Sequence, residues 1–339
     1  MKIAFYDSKS FDINSFNKNT NNHEFKFYDT RLNKDTVYLA NGFDAICIFV
    51  NDIVDKDVVD KLVEYNIKLI LLRCAGYNNV DIKYCYGKVH VFRVPAYSPY
   101  AVAEHTMALI LTLVRKIHKA YIRTRNFNFN IDGLQGFDLH NKTIGVIGTG
   151  KIGRTFINIC NGFGMNVLAY DVYKTDGINY VGLNELLEKS DIISLHCPLN
   201  SETHHIINSE TIKLMQRKPI IINTSRGGLI NTKDLLSAIR NKSISGACLD
   251  VYEEESNIFF KDYSAEIIDD DVLLELIAMP NVIVTSHQAY LTNEALDNIA
   301  SSTLSNINDY LSKGYGENEL CYGCGKTDEC MKNRNTKCF

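Results

Sequence analysis

The sequence predicts an α/β protein built from two doubly wound parallel-sheet domains. Three observations carry this. Short apolar runs alternate with amphipathic stretches at helical spacing, the pattern of strand–helix–strand units. Roughly six such runs fall between Lys142 and His287, enough for one complete doubly wound sheet. At 339 residues the chain is too long for one small core, and its N-terminal third carries strands of its own.

Taken in order, Ile3–Tyr6, Ala45–Val50 and Lys68–Arg73 read as strands. Val58–Tyr65, between the last two, has the helical spacing that a crossover between parallel strands needs. Val89–Val94 is a further strand and runs into Pro95. From Ala101, AVAEHTMALILTLVRKIHKAYI reads as one long, largely buried helix with basic residues toward its end. KTIGVIGTGKIGRTFINIC is then a strand, a tight glycine turn and a helix. VLAYD, DIISLHC, PIIINTSRGG, SGACLDVY and NVIVTSHQAY supply the remaining strands. Proline interrupts the pattern near Tyr97–Pro99, and the chain returns to the first domain after about Ala289. The expected organisation is a discontinuous smaller domain (1–98 with 289–320), an inserted domain (99–288) and a cysteine-rich tail (321–339).

Composition narrows the function. Charged residues are 22% and hydrophobic ones 45%, ordinary for a globular protein. A formal charge of −4 argues against a nucleic-acid partner, which requires clustered positive charge. The N-terminus lacks the apolar core of a signal peptide, and no run of 18 apolar residues suits a membrane span. A cytoplasmic, enzyme-sized protein is expected. Of ten cysteines, six are scattered in apolar contexts, such as Cys47 and Cys160.

Gly148-Thr149-Gly150-Lys151-Ile152-Gly153 follows an apolar strand and opens a helix, the context that makes a G-x-G-x-x-G motif specific. Gly148 permits the turn, Gly150 lets backbone approach a pyrophosphate, and Gly153 allows helix to pack on strand. The helix N-terminus offers unpaired N–H groups to phosphate. Asp171 lies 18 residues after Gly153, at the end of the next strand. Its carboxylate suits ribose hydroxyls and repels a 2′-phosphate, favouring NAD over NADP. The inserted domain therefore reads as a Rossmann domain, set into a smaller flavodoxin-like one.

Two more strand ends carry chemistry. Arg226, in Asn-Thr-Ser-Arg-Gly-Gly, follows a strand and would face the crevice at the carboxyl edge of the sheet. Its guanidinium can grip carboxylate and carbonyl oxygens in a fixed fork. His287, in Val-Thr-Ser-His-Gln-Ala, follows the last strand. A carboxylate bonded to its ring would favour the protonated form, suiting a general acid near neutrality. Glu253, Glu254 and Glu255 are all candidates for that carboxylate. A cation to hold a 2-keto acid and an acid to protonate its oxygen are what reduction by a nicotinamide requires.

Several segments together resemble the D-isomer-specific 2-hydroxyacid dehydrogenase family, above all its fermentative lactate-forming branch. They are Arg-Cys-Ala-Gly-Tyr-Asn-Asn-Val-Asp (73–81), Val-Pro-Ala-Tyr-Ser-Pro (94–99), the glycine loop and Ser-Leu-His-Cys-Pro-Leu (194–199). Asn-Thr-Ser-Arg-Gly (223–227), Leu-Asp-Val-Tyr-Glu-Glu-Glu (249–255) and Ser-His-Gln-Ala-Tyr-Leu-Thr (286–292) complete the set. The resemblance spans residues 1 to about 320. It implies that Arg226 anchors substrate, that His287 donates the proton and that Glu255 is its partner. It further implies that Ala75 and Gly76 offer backbone N–H groups to the substrate carboxylate, with Tyr97 and Tyr290 lining the pocket. Lys151 and Ile152 would form the pyrophosphate turn. Cys197, Pro198 and Thr203 would border adenosine, and Thr224, Ser225 and Asp250 the nicotinamide half. The implied cofactor is NAD and the implied substrate a small 2-keto acid, with pyruvate ahead of a larger one such as 2-oxoisocaproate. In this family the two domains close over substrate, and the helix near residues 100–120 helps form a homodimer. A different class sharing the fold is an NAD-sensing, corepressor-like binding protein.

Other polar residues carry plainer expectations. Glu104 and His105 suit a capping or domain-interface role, His204 and His205 a solvent-facing one, and His196 either packing or exposure. No set of them has metal-ligand spacing. Cys321, Cys324, Cys330 and Cys338 depart from the family pattern; a metal site, a redox pair and a flexible segment are the alternatives there.

Overall fold

The computed structural model describes residues 1–19 and 22–322. Cys324, Cys330 and Cys338, with the tail alternatives raised above, lie outside the described residues. The chain forms two compact units, Met1–Ser98 joined by the segment from Leu291 onward, and Pro99–Tyr290.

The first unit contains β1 (Lys2–Phe5), α1 (Ser10–Asn19), β2 (Glu24–Phe27), β3 (Ala45–Ile48), α2 (Lys56–Glu64), β4 (Leu69–Leu72), α3 (Ile82–Cys85) and β5 (His90–Arg93). All five strands pair in parallel, in the order β2-β1-β3-β4-β5. That is the doubly wound order of flavodoxin-like sheets. The runs AICI and LILL are buried at every position, as central parallel strands covered on both faces must be. α1, β2, α3 and the closing helix Asn293–Lys313 went unanticipated. α1 is polar over most of its length and buries only Asp12, Ser15 and Phe16. It is held by the closing helix Asn293–Lys313, where the Leu296 carbonyl accepts from Ser15 Oγ at 3.0 Å. β2 is an edge strand whose Phe25 and Phe27 pack on Phe5.

The second unit contains α4 (Pro99–Val114), α5 (Ile117–Arg125), β6 (Thr143–Ile147), α6 (Lys151–Gly162), β7 (Asn166–Tyr170), α7 (Leu183–Lys189) and β8 (Ile192–Leu195). It continues through α8 (Ser209–Lys213), β9 (Ile220–Asn223), α9 (Thr232–Arg240), β10 (Gly246–Leu249), α10 (Asp271–Ala278) and β11 (Val282–Val284). Its six parallel strands run β11-β10-β9-β8-β6-β7. Beyond β7, Tyr180 makes one parallel bridge with Ala169, so the third strand of the Rossmann order survives as a single residue. Apolar clusters cover both faces. α4 and α6 pack on one, through residues such as Ile110 and Phe156, and α9 and α10 on the other, through Leu235 and Leu276.

The single long helix expected from Ala101 is broken. Lys116 takes a left-handed conformation (φ 53°), ending α4 and starting α5. The buried face ends at Val114, and α5 buries no residue, so no core holds the two as one rod. No described helix is long and apolar enough to cross a membrane.

Candidate active site

One row of paired residues crosses the six-stranded sheet: Tyr170, Ile147, Leu195, Asn223, Leu249 and Val284. Asp171, Gly148, Cys197, Arg226, Asp250 and His287 each follow that row by one to three positions. Parallel register thus sets six chemically distinct residues along one carboxyl edge, where ligands of open α/β sheets bind.

The glycine turn opens that edge. Gly148 has φ 95°, and a Cβ added there would come within 2.5 Å of the Cys197 N–H nitrogen. A Cβ on Gly153 would strike the Gly148 carbonyl, which is how helix and strand pack so closely. Gly150 has no protein atom near its missing Cβ and caps α6 without any side-chain bond. Space is therefore open beside the uncapped N-terminus of α6, which suits a pyrophosphate. Asp171 is fixed across the turn. Its Oδ2 accepts from the Thr149 N–H at 2.6 Å and from Thr149 Oγ1 at 3.1 Å, and its Oδ1 from the Tyr173 N–H at 2.8 Å. A cleft of about 420 Å³ runs between this turn and the loop after β8, bounded by Gly150, Asp171, Cys197, Pro198 and Thr203. Thr203 Oγ1 donates to the Pro198 carbonyl at 2.6 Å and shapes that wall. The cradle, the open helix end and the Asp171 carboxylate fit a dinucleotide. Beneath them, His196 bonds Ser194 at 2.9 Å and packs on Phe156; burial lowers it to about 3, so it is neutral.

The loop after β9 is held by its own residues. Asn223 Oδ1 accepts from the Ser225 N–H at 3.0 Å, while Asn223 Nδ2 donates to the Arg226 carbonyl at 2.8 Å. Ser225 Oγ reaches the Cys197 carbonyl at 2.7 Å, and buried Thr224 bonds Thr106 of α4 at 2.9 Å. Gly227 lies against the Tyr252–Glu253 backbone, with no room for a Cβ. Arg226 is half-buried, and Nη1 donates to the Ser225 carbonyl at 2.6 Å. Among the described residues no carboxylate pairs with it, leaving a cation at the ligand edge.

His287 has φ 52°, a strained conformation for a non-glycine residue. Two bonds hold it there: its N–H donates to the Asp250 carbonyl at 2.6 Å, and Nδ1 meets Glu255 Oε1 at 2.7 Å. Glu255 Oε2 is anchored in turn by the Tyr252 N–H at 2.9 Å. Of the three glutamates that spacing left open, the one that meets His287 is thus Glu255, the residue the resemblance implied. Glu254 is exposed, and Glu253 instead meets His205 Nε2 at 2.5 Å and Thr232. Asp250 is fully buried and accepts from Thr285 Oγ1 (2.5 Å), the Ala289 N–H (2.9 Å) and the Gln288 N–H (3.0 Å). Burial alone would raise its carboxyl, but those bonds and His105, at 3.4 Å, hold it below its usual value.

Residues 107–289 match the family described as D-isomer specific 2-hydroxyacid dehydrogenase, NAD binding domain. The chain belongs to this family. The 2-hydroxyacid dehydrogenase homolog 2 of Schizosaccharomyces pombe is 47% identical over 329 residues, 94% of this chain and 99% of that one. The apo-structure of D-lactate dehydrogenase from Escherichia coli superimposes with a TM-score of 0.85 at 43% identity, covering 94% of this chain and 100% of that one. The pyruvate reductase of Chlamydomonas reinhardtii gives 0.85 at 40%, covering 92% and 96%. This protein is accordingly an NAD-dependent D-2-hydroxyacid dehydrogenase.

Several residues stand apart from expectation. Lys151 and Ile152 open α6, while Arg154, Val172 and Tyr173, which sequence reasoning did not name, line the cleft. Those three carry no motif of their own; only the turn of α6 and the loop after β7 bring them round. His105, given either a capping or a domain-interface role from the sequence, sits against Asp250 and Thr285. His205 is half-buried, not solvent-facing, and with His204 and Glu253 it forms a group of metal-ligand geometry that sequence spacing did not show. In the first unit, Ala75 and Gly76 are half-buried, and no protein acceptor among the described residues takes their N–H groups. The Tyr97 carbonyl accepts from Asn298 at 2.6 Å, and Tyr290 is buried at the end of the second unit.

Proposed function

We propose that this dehydrogenase reduces pyruvate to D-lactate, with Arg226 as substrate anchor, His287 as proton donor and Glu255 as the residue that orients His287. The observation that carries the reading is the His287–Glu255 pair at 2.7 Å, on the same sheet edge as an Arg226 that has no carboxylate partner among the described residues. When bound, NADH supplies the hydride. Glu255 occupies Nδ1 and leaves Nε2 of His287 to give its proton to the substrate oxygen as the keto carbon becomes an alcohol. The Arg226 fork holds the carboxylate and polarises the carbonyl. The resemblance gives Ala75 and Gly76 as N–H donors to a carboxylate and Tyr97 and Tyr290 as residues that line a small pocket. Asp171, presented to the ribose side, favours NADH over NADPH. Thr224, Ser225 and Asp250 stand on the nicotinamide side, Cys197, Pro198 and Thr203 on the adenosine side. The similarity to a D-lactate dehydrogenase and a pyruvate reductase supports pyruvate over larger acids.

The working form is a homodimer joined through α4, α5 and the following loop. Large apolar side chains are exposed there, with Phe127 at 85% and Ile131 at 78%, more than an isolated surface needs. The seven described cysteines form no disulfide, which suits a cytoplasmic enzyme.

A panel of 2-keto acids, followed by NADH absorbance, tests this. Pyruvate should give the highest kcat/KM, and NADPH a much lower value than NADH. A higher value for 2-oxoisocaproate would move the assignment to a branched-chain acid. No oxidation of NADH with any acid would favour a binding role.

A further inference from the structure

Beside the arginine loop, and apart from every residue given a role above, three metal-binding side chains converge. His204 and His205 are consecutive, so on extended backbone their rings would point to opposite sides. His205 instead has φ 52°, and its N–H donates to the Gly228 carbonyl at 2.9 Å. The two rings consequently lie together, with centroids 3.8 Å apart and planes at 30°. His205 Nε2 touches Glu253 Oε1 at 2.5 Å, and one donor atom from each of the three residues lies within 4.8 Å of the others. Glu253 is oriented from behind by the Thr232 N–H (3.2 Å) and hydroxyl (3.0 Å) on its other oxygen, as the carboxylate ligands of metals commonly are. His204 is exposed, so solvent reaches the group.

We infer that His204, His205 and Glu253 form a binding site for a divalent transition ion, zinc above all. Two imidazoles and one carboxylate suit borderline metals and not calcium or magnesium, which take oxygen shells. Ligands on a tetrahedral zinc stand roughly 3.4 Å apart, given bonds of about 2.0–2.1 Å. From 2.5 Å the His205–Glu253 contact would open by about an ångström, and the other pairs, all within 4.8 Å, would close by at most about 1.4 Å, within reach of side-chain rotation at an exposed histidine. Three protein ligands leave a fourth position to water. Without metal, the same residues amount to a His–Glu hydrogen bond beside a stacked ring.

The cysteines from Cys321 onward also suit zinc, so the test uses full-length protein with Cys321, Cys324, Cys330 and Cys338 replaced by Ser. After chelation and buffer exchange, calorimetric titration with Zn²⁺ should show one site per chain. His204→Gln, at an exposed position that keeps the fold, and Glu253→Gln should each weaken it roughly tenfold or more. Co²⁺ should give visible d–d bands with no thiolate charge-transfer band. Absence of binding, or zinc binding of equal strength in His204→Gln, would overturn the assignment.

Discussion

Each of the two sheets has a crevice where its strand order reverses, between the ends of β1 and β3 in one and of β6 and β8 in the other. In the five-stranded sheet the chain fills that crevice itself. Arg73, from the end of β4 and 2% exposed, donates to the Tyr6 carbonyl at 3.1 Å and the Asp7 carbonyl at 2.7 Å. It pairs with Asp12 at 3.3 Å and lies over the rings of Phe5 and Phe49. In the six-stranded sheet the corresponding turn is Gly148-Thr149-Gly150, which contributes almost no side-chain volume and leaves a cleft of about 420 Å³. The same architecture therefore offers a ligand crevice twice. The few residues after each strand decide whether it holds the protein's own guanidinium or a cofactor.

Substitutions can break this contrast. At the open edge, His287→Gln should lower kcat by roughly 10²–10⁴-fold, the scale of a lost general acid; a near-normal rate would remove the ring from the chemistry. At the filled edge, Arg73→Met should cost about 3–5 kcal/mol, because Asp12 stays buried without its counter-charge. Urea melts followed by circular dichroism would show it, and a loss under about 1 kcal/mol would make Arg73 mere filler. Arg226→Lys keeps the charge but loses the fork, so KM for pyruvate should rise, with kcat/KM falling roughly 10- to 100-fold; an unchanged KM would refute the substrate pose.

The smallest effect lies beside Arg73. Burial pushes the Asp52 carboxyl up to about 7, against the pull of Arg73 and of the Phe49 and Leu32 N–H groups. In the unfolded chain it titrates near ~4. Between about 4 and 7 the folded state keeps a proton that the unfolded state has released, so this contribution to stability fades as pH rises through that window. Asp52→Asn should flatten the pH dependence of the melting temperature there, and an unchanged slope would mean that Asp52 stays ionised throughout.

Most strands were legible because a parallel strand buried on both faces must be an unbroken apolar run. IIIN, LILL and AICI are hard to read otherwise. α1 and β2 were not, because each depends on partners far along the chain, Leu296 for the helix and the β1 ladder for the strand. The break at Lys116 was hidden for a related reason: residues compatible with a helix continue through it, but the core that α4 packs on does not.

At the site, sequence alone determined the glycine turn, Asp171, Arg226 and His287 as candidates, since each follows directly on a strand, and strand ends share one edge of a parallel sheet. Residue spacing left Glu253, Glu254 and Glu255 open as partners of His287, and only the family resemblance pointed to Glu255, the one that meets it; tertiary structure alone decided that His105 faces Asp250 and that His204 and His205 lie beside Glu253. A strand fixes where its last residue points through local backbone geometry. Which side chain a loop brings to meet it depends on contacts tens of residues away, and no periodicity records those.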